Sequence, residues 1–203
     1  MIEIFDNDLP QNFQLDGDLA IDTETMGLNI TRDRLCLIQI SNGGPNAYLV
    51  RFDKNNYAAP NLKRLLGNTD SQKIFHYARF DLAVIKYYLG VEIKNIFCTK
   101  IASKLVRTYT EYHGLKDLCR ELIGVQISKQ QQSSYWGNST LSEEQKTYAS
   151  GDVIYLHDLR KKLISMLNTE GRMDLATQIF AFLPTKVYLD LNGWAELDIF
   201  SYK

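Results

Sequence analysis

Four acids and a tyrosine carry the chemistry that this 203-residue chain offers. Asp22 and Glu24 lie two apart at the end of a predicted strand. Alternate strand residues project to one face, so both carboxylates point together. Like charges side by side repel, and a cation between them removes the repulsion; a lone Asp-x-Glu is otherwise a solvated strand end. Asp81 falls early in a predicted helix over 78–89, one position before Leu82 and four before Ile85. Taken alone it reads as a first-turn acid favoured by the helix dipole. Asp152 is more informative. Tyr148, Asp152, Leu156, Leu159, Leu163 and Met166 follow at spacings of four, four, three, four and three. Asp152 is therefore in line with a core stripe, where a bare carboxylate is costly unless paired or bound to metal. Tyr148 precedes it by one helical turn on the same face, within reach of the same site. Four carboxylates with no cysteine or histidine cluster form an oxygen-only donor set, which suits Mg²⁺ or Mn²⁺ better than zinc. Two such ions roughly 3.5–4 Å apart are a common device for phosphodiester chemistry.

The elements that must position these residues are legible as patterns. Residues 18–23 read as a strand. The apolar runs 35–41 and 47–52 flank NGGPN and read as a hairpin. Residues 60–67 suggest a short helix and 73–77 a strand. The helix over 78–89 is closed by Gly90. Further helices are expected at 99–106 and 114–124. Residues 125–140 are polar and read as a loop, and Ser142 begins a helix reaching about 169. A last helix at about 173–183 ends at Pro184. The order predicts one α/β domain over 1–203, with a helical C-terminal half and neither repeat nor linker.

Composition excludes several classes. The apolar fraction of 45% and charged fraction of 23% are ordinary globular values. Cys36, Cys98 and Cys119 are odd in number and widely spaced, which argues against a zinc site and a disulfide framework. No stretch approaches the ~18 consecutive apolar residues of a membrane span, so no membrane partner is expected. The first residues show no basic-then-apolar leader pattern, which predicts a cytoplasmic protein. The net charge of −1 at first opposes nucleic-acid binding. Its distribution reverses that reading. Residues 1–30 hold seven acids and no Lys or Arg, leaving +6 on the remainder (23 basic against 17 acidic). Two bound divalent ions would add +4 to the formal charge, and metal charge belongs in the local electrostatics. A balance this mild fits a short oligonucleotide better than a long duplex, whose affinity scales with the phosphates neutralised.

These residues resemble the DEDD group of 3′-5′ exonucleases. IDTETMGL holds Asp22 and Glu24, HYARFDL holds Asp81, and YASGDVIYL holds Tyr148 and Asp152. A tyrosine four before the last aspartate is similar to the tyrosine branch of the group. Within that branch LCLIQIS, GLKDL and KQQQSSYWGNSTLSEEQKTYASGDV resemble ribonuclease D, and the short length and NGWAELDIF resemble its nanoRNase C relatives. Tyr135 stands where the family usually has an acid before Trp136, which leaves open any contact at that position. The resemblance implies a ribonuclease H-like (DnaQ-like) α/β fold, a central mixed sheet with helices packed on it. It implies a metal-dependent hydrolysis of the 3′-terminal phosphodiester of short RNA, dinucleotides included, releasing nucleoside 5′-monophosphates. Asp22, Glu24, Asp81 and Asp152 would hold two ions, with Asp22 bridging them, and Tyr148 would orient the attacking water.

Thr25, Leu28, His76, Arg79, Lys129, Gln132, Ser133 and Trp136 are the candidate substrate contacts. Leu28 either wedges against terminal bases or packs in its loop. His76 and Arg79 flank Asp81 and meet phosphate or sugar, His76 having the alternative of a satisfied core histidine. Lys129 and Ser133 are expected on phosphate, or else in a solvated loop; His113 and His157 are assigned no role. Six aromatics fall within residues 180–203, against 11% for the chain. So apolar an end packs on its own domain or, over about 184–203, forms a subunit interface, and the resemblance implies a ring-shaped octamer. Two other readings stand beside the RNA one: an exonuclease acting mainly on DNA or structured RNA 3′ ends, and an inactive nucleic-acid-binding module. The complete set of carboxylates counts against the second.

Overall fold

The computed structural model describes every residue except Asn55, Lys129 and Lys203. The chain opens with strand β1 (Ile2–Asp6), then β2 (Leu19–Thr25), β3 (Leu35–Ser41) and β4 (Ala47–Arg51). Helix α1 (Pro60–Gly67), β5 (Lys73–Phe75), α2 (Ala78–Leu89), β6 (Ile96–Cys98) and α3 (Thr99–Val106) follow. The rest is helical: α4 (Leu115–Leu118) widening into a π-turn (Cys119–Ile123), α5 (Glu143–Ile154), α6 (Leu156–Thr169), and α7 (Met173–Leu189) with a second π-turn (Asp190–Trp194). The six strands form one sheet in the order β1-β4-β3-β2-β5-β6. β2–β3 and β3–β4 pair antiparallel, and the remaining pairs are parallel, so the sheet is mixed.

Every residue of β3, LCLIQIS, is buried, as an interior strand covered on both faces should be. A bulge lies between β2 and β3 at the Glu24/Thr25 step, and such bulges bend a strand and re-aim its side chains. The β3–β4 turn needs its glycine. Gly43 has φ +84, and a Cβ there would lie 2.9 Å from the His157 ring.

Four differences from the sequence reading have physical causes. β1 and β6 are short strands that pair in parallel with residues far along the chain, and local patterning carries no trace of such partners. The strand expected over 73–77 stops at Phe75, because Tyr77 turns to φ 68 and starts α2. The single helix expected from Ser142 to about 169 breaks at Tyr155 (φ −93, ψ −7). Its halves have different partners: α5 lies across β2, β3 and β4, whereas α6 packs on α3. The last helix runs through Pro184 to Leu189. Proline leaves the Phe180 carbonyl without its helical donor, while burial of Phe180, Leu183 and Val187 along that face offsets the loss.

The helix that carries Tyr148 and Asp152 starts from a full capping box. The Ser142 hydroxyl accepts from the Gln145 amide at 3.2 Å, and the Gln145 side chain accepts from the Ser142 amide at 3.0 Å. Removing a cap of this kind costs about 1 kcal/mol. Ser142→Ala is therefore expected to lower the melting temperature by about 2–4 °C for a chain of this size, read by thermal denaturation followed by circular dichroism.

Candidate active site

Three elements converge on one point. Asp22 and Glu24 leave the same face of β2, fourth in the six-strand sheet. Asp81 sits in the first turn of α2, directly after β5, the parallel neighbour of β2. Asp152 descends from α5, which lies across β2 and β3. Carboxylate oxygens of Asp22, Glu24 and Asp152 lie within 4.8 Å of one another. Asp81 is buried behind them, and the Thr23 hydroxyl donates to its Oδ1 at 2.7 Å. On β3, directly across from Asp22, Gln39 donates to Asp22 Oδ2 at 3.2 Å.

The electrostatics are those of crowded anions. Burial, then the charges of Asp81, Asp152 and Glu24, push Asp22 well above the usual carboxylate range. Burial, then Asp152 and Asp81, do the same to Glu24. Burial raises Asp81 to about 7, against hydrogen bonds from Thr23 and its own backbone. Burial likewise raises Asp152 to about 7, against a hydrogen bond from Tyr148. The Tyr148 phenol is held well above its ordinary value by burial and by Asp152, Glu24 and Asp22. It keeps its proton at neutral pH and acts as a donor. Among the described residues no ion pair reaches any of the four carboxylates. Hard oxygen donors at this spacing, unneutralised by the protein, fit a divalent cation such as Mg²⁺ or Mn²⁺.

The acids line a cleft of about 640 Å³. Most of the expected substrate contacts line it too: Thr25, Leu28, His76, Gln132, Ser133 and Trp136. Leu28 is 84% exposed at the apex of its loop. The loop is braced beneath, where Asp33 accepts from the Asn29 amide at 2.9 Å and pairs with Arg32 at 2.7 Å. A Cβ at Gly27 would lie 2.4 Å from Asp33 Oδ2, so a larger residue there would displace the bracing carboxylate. His76 Nδ1 lies 2.9 Å from the Thr99 hydroxyl, and the residue lines the cleft. Trp136 is buried, with its ring centroid 6.0 Å from that of Tyr148, so it backs the tyrosine.

Arg79 departs from expectation. Its guanidinium pairs with Asp190 at 2.5 Å and donates to the Ala195 carbonyl at 3.0 Å, tying α2 to the C-terminal turn, and it is not among the residues that line the cleft. Asp190 satisfies it from 111 residues away, a partner no local motif reveals. Lys129 lies outside the described residues. Two cleft-lining cations were missed, Lys100 and Lys116. Lys100 Nζ rests 4.4 Å from the centroid of the Tyr77 ring. The signal was a lysine just inside each of two helix starts, indistinguishable in sequence from a solvated face. His113 and His157 keep structural roles: His113 Nδ1 meets Ser103 at 2.8 Å, and His157 Nε2 meets the Asp18 carbonyl at 3.0 Å.

The mixed sheet with helices packed on it is that of a ribonuclease H-like fold, and its buried oxygen donors are of the kind that hold a divalent cation. Residues 6–168 match the family described as 3′-5′ exonuclease, and the chain belongs to that family. Over its full length it is similar to Brucella melitensis NrnC. The structure of that protein bound to pGG shares 50% identity and a TM-score of 0.94, covering 100% of this chain and 98% of the other. Its structure with bound Mg²⁺ gives 50%, 0.93, 100% and 99%. Ribonuclease D from Gluconacetobacter diazotrophicus is 31% identical over 165 residues, 81% of this chain and 42% of that protein. The chain thus spans about two fifths of that curated relative.

The raised carboxylates set a pH dependence. Folded Asp81 and Asp152 keep protons up to about pH 7, whereas an unfolded aspartate loses its proton near 3.8. Between these limits the folded state binds more protons, so metal-free stability falls as pH rises through the window. A cation replacing the protons removes that fall. The melting-temperature gain from saturating Mg²⁺ is expected to be larger at pH 8 than at pH 5, measured by differential scanning fluorimetry. A gain independent of pH would contradict the assignment.

Proposed function

We propose that this protein is a 3′-5′ exoribonuclease that degrades short RNA oligonucleotides, dinucleotides included, to nucleoside 5′-monophosphates with two divalent ions. The observation that carries the reading is the set of three carboxylates within 4.8 Å of one another, inside a cleft of about 640 Å³. That volume lies within the ~300–1,000 Å³ range of small-molecule sites, and it suits a few nucleotides rather than a long duplex. The binding of pGG and of Mg²⁺ by a protein of 50% identity supports both substrate class and cofactor.

Asp22, Glu24 and Asp152 would hold one ion, and Asp22 with Asp81 the second. Bound there, such ions would lower the pKa of a coordinated water and offer positive charge to the leaving oxygen. The chain's own residues do the rest. Tyr148, protonated and one turn before Asp152, donates a hydrogen bond that orients the nucleophile. Its high pKa excludes it as a free-standing base. Leu28 meets the terminal base from its braced loop. His76, Gln132 and Ser133 line the walls where sugar and phosphate lie, and Lys100 and Lys116 put positive charge on the same rim.

Asp152→Asn is expected to abolish metal-dependent hydrolysis, and Tyr148→Phe to lower turnover by about 10²-fold, as loss of one preorganised hydrogen-bond donor does. Full activity in Tyr148→Phe would remove the orienting role. The substrate is tested with a length series of 5′-labelled RNA and DNA oligomers from dimers upward, with Mg²⁺ or Mn²⁺. Preference for RNA dinucleotides is expected, and equal cleavage of long duplex DNA would redirect the reading to DNA ends.

The C-terminal segment supports self-association. Trp194, Leu197, Ile199, Phe200 and Tyr202 are all exposed, as are Phe182 and Tyr188 on α7. Apolar clusters of this kind mark interaction surfaces. A homo-octamer in cytoplasm-like buffer is the expected state by size-exclusion chromatography with light scattering, and a monomeric mass would exclude it.

A further inference from the structure

We infer that Gln39 is a positioning residue that fixes the orientation of the Asp22 carboxylate for cation binding, an inference that rests on the metal-dependent reading above. Gln39 is fully buried in the middle of β3, among Leu37, Ile38 and Ile40. It stands directly across from Asp22 in the antiparallel register. Cross-strand pairs of this type lie on one face and touch. Its Nε2 donates to Asp22 Oδ2 at 3.2 Å, while its Oε1 is buried with no hydrogen-bond partner among the described residues. An unpaired buried amide oxygen opposes folding. A methionine would fill the same space without that cost. What the amide offers in return is its N–H.

Asp22 needs that donor. Glu24, Asp81 and Asp152 all repel it, and Gln39 makes the side-chain hydrogen bond that it receives among the described residues. Holding one carboxylate oxygen against β3 stops rotation about the Cβ–Cγ bond and leaves the other oxygen directed at the cleft. Outer groups that orient metal ligands in this way typically carry about 10–100-fold in metal affinity. Thr23 makes a comparable contact to Asp81.

The test compares wild-type protein with Gln39→Met. Mn²⁺ binding is titrated by electron paramagnetic resonance of the free ion, and melting is followed without metal. The expected result is Mn²⁺ binding weakened about tenfold with an unchanged or higher melting temperature. Cleavage of a 5′-phosphorylated diribonucleotide should recover as Mn²⁺ is raised. Wild-type affinity in Gln39→Met overturns the inference, as does a lower melting temperature with unchanged affinity, which is the signature of a purely structural residue. If wild-type protein itself fails to bind Mn²⁺, the metal-dependent reading falls as well, and the two failures are thereby distinguished. Should Gln39→Met not fold, the Gln39 side-chain amide of wild-type protein is followed by ¹⁵N NMR during Mg²⁺ addition. A shifted resonance supports the contact, and an unmoved one overturns the inference.

Discussion

Four carboxylates converge on one cleft where, among the described residues, no ion pair neutralises them, and the rest of the structure is organised around that demand. Repulsion on this scale would push flexible elements apart. The acids are instead mounted on the parts of the fold least free to move. Asp22 and Glu24 belong to an interior strand, paired on both edges along part of its length. Asp81 is locked by Thr23 at the start of α2, and α2 buries Leu82, Ala83, Val84 and Ile85 in the main core. Asp152 is held by α5, which is capped at one end and continues after the Tyr155 break into α6, whose Leu156, Leu159, Leu163 and Leu167 are all fully buried. The folding energy of the core thereby maintains a local arrangement that is unfavourable on its own and that a divalent cation would relieve.

The helix break follows from the same demand. A straight helix through 142–169 cannot satisfy two surfaces. Its first half must cross β2–β4 to bring Asp152 over Asp22, and its second must pack against α3. The turn at Tyr155 resolves the conflict, and His157 just beyond it seals the fit, with its ring filling the space that a side chain at Gly43 would need. Site and fold are solved by one change of direction.

Which features could be read from sequence follows from the range of the interaction behind each. The three acidic motifs, the β3–β4 hairpin, α1, the start and end of α2, and the Ser142 cap are all set by contacts within a few residues, and their patterns are explicit. Asp152 announced itself because an acid in a leucine stripe contradicts the stripe. Features set by distant partners left no local mark. β1 is placed by pairing with β4 and β6 by pairing with β5. The helix break answers to two separate packing surfaces. Arg79 illustrates the limit most sharply: two residues from Asp81, it looked like a phosphate contact, yet it pairs with Asp190 and the Ala195 carbonyl, more than a hundred residues along the chain.

The acidic N-terminal segment sharpens the same point about charge. Its seven acids look uniform in sequence, but the fold separates them by partner. Asp6 pairs with Arg51 at 2.7 Å, and Asp18 with Arg160 at 2.6 Å. Asp8 accepts from the amides of Asn61 and Leu62 at the start of α1, at 3.1 and 2.8 Å. Those charges are already balanced by a cation or by backbone donors. Asp22 and Glu24 have no ion pair among the described residues, and of the seven only they line the cleft. The acids near the cleft are therefore of a different kind from Asp6, Asp8 and Asp18, which the protein itself offsets. Net charge averages over both kinds and so says little about nucleic-acid binding. What decides it is whether the unbalanced acids carry metal, because then the same residues that repel phosphate become the ones that hold it.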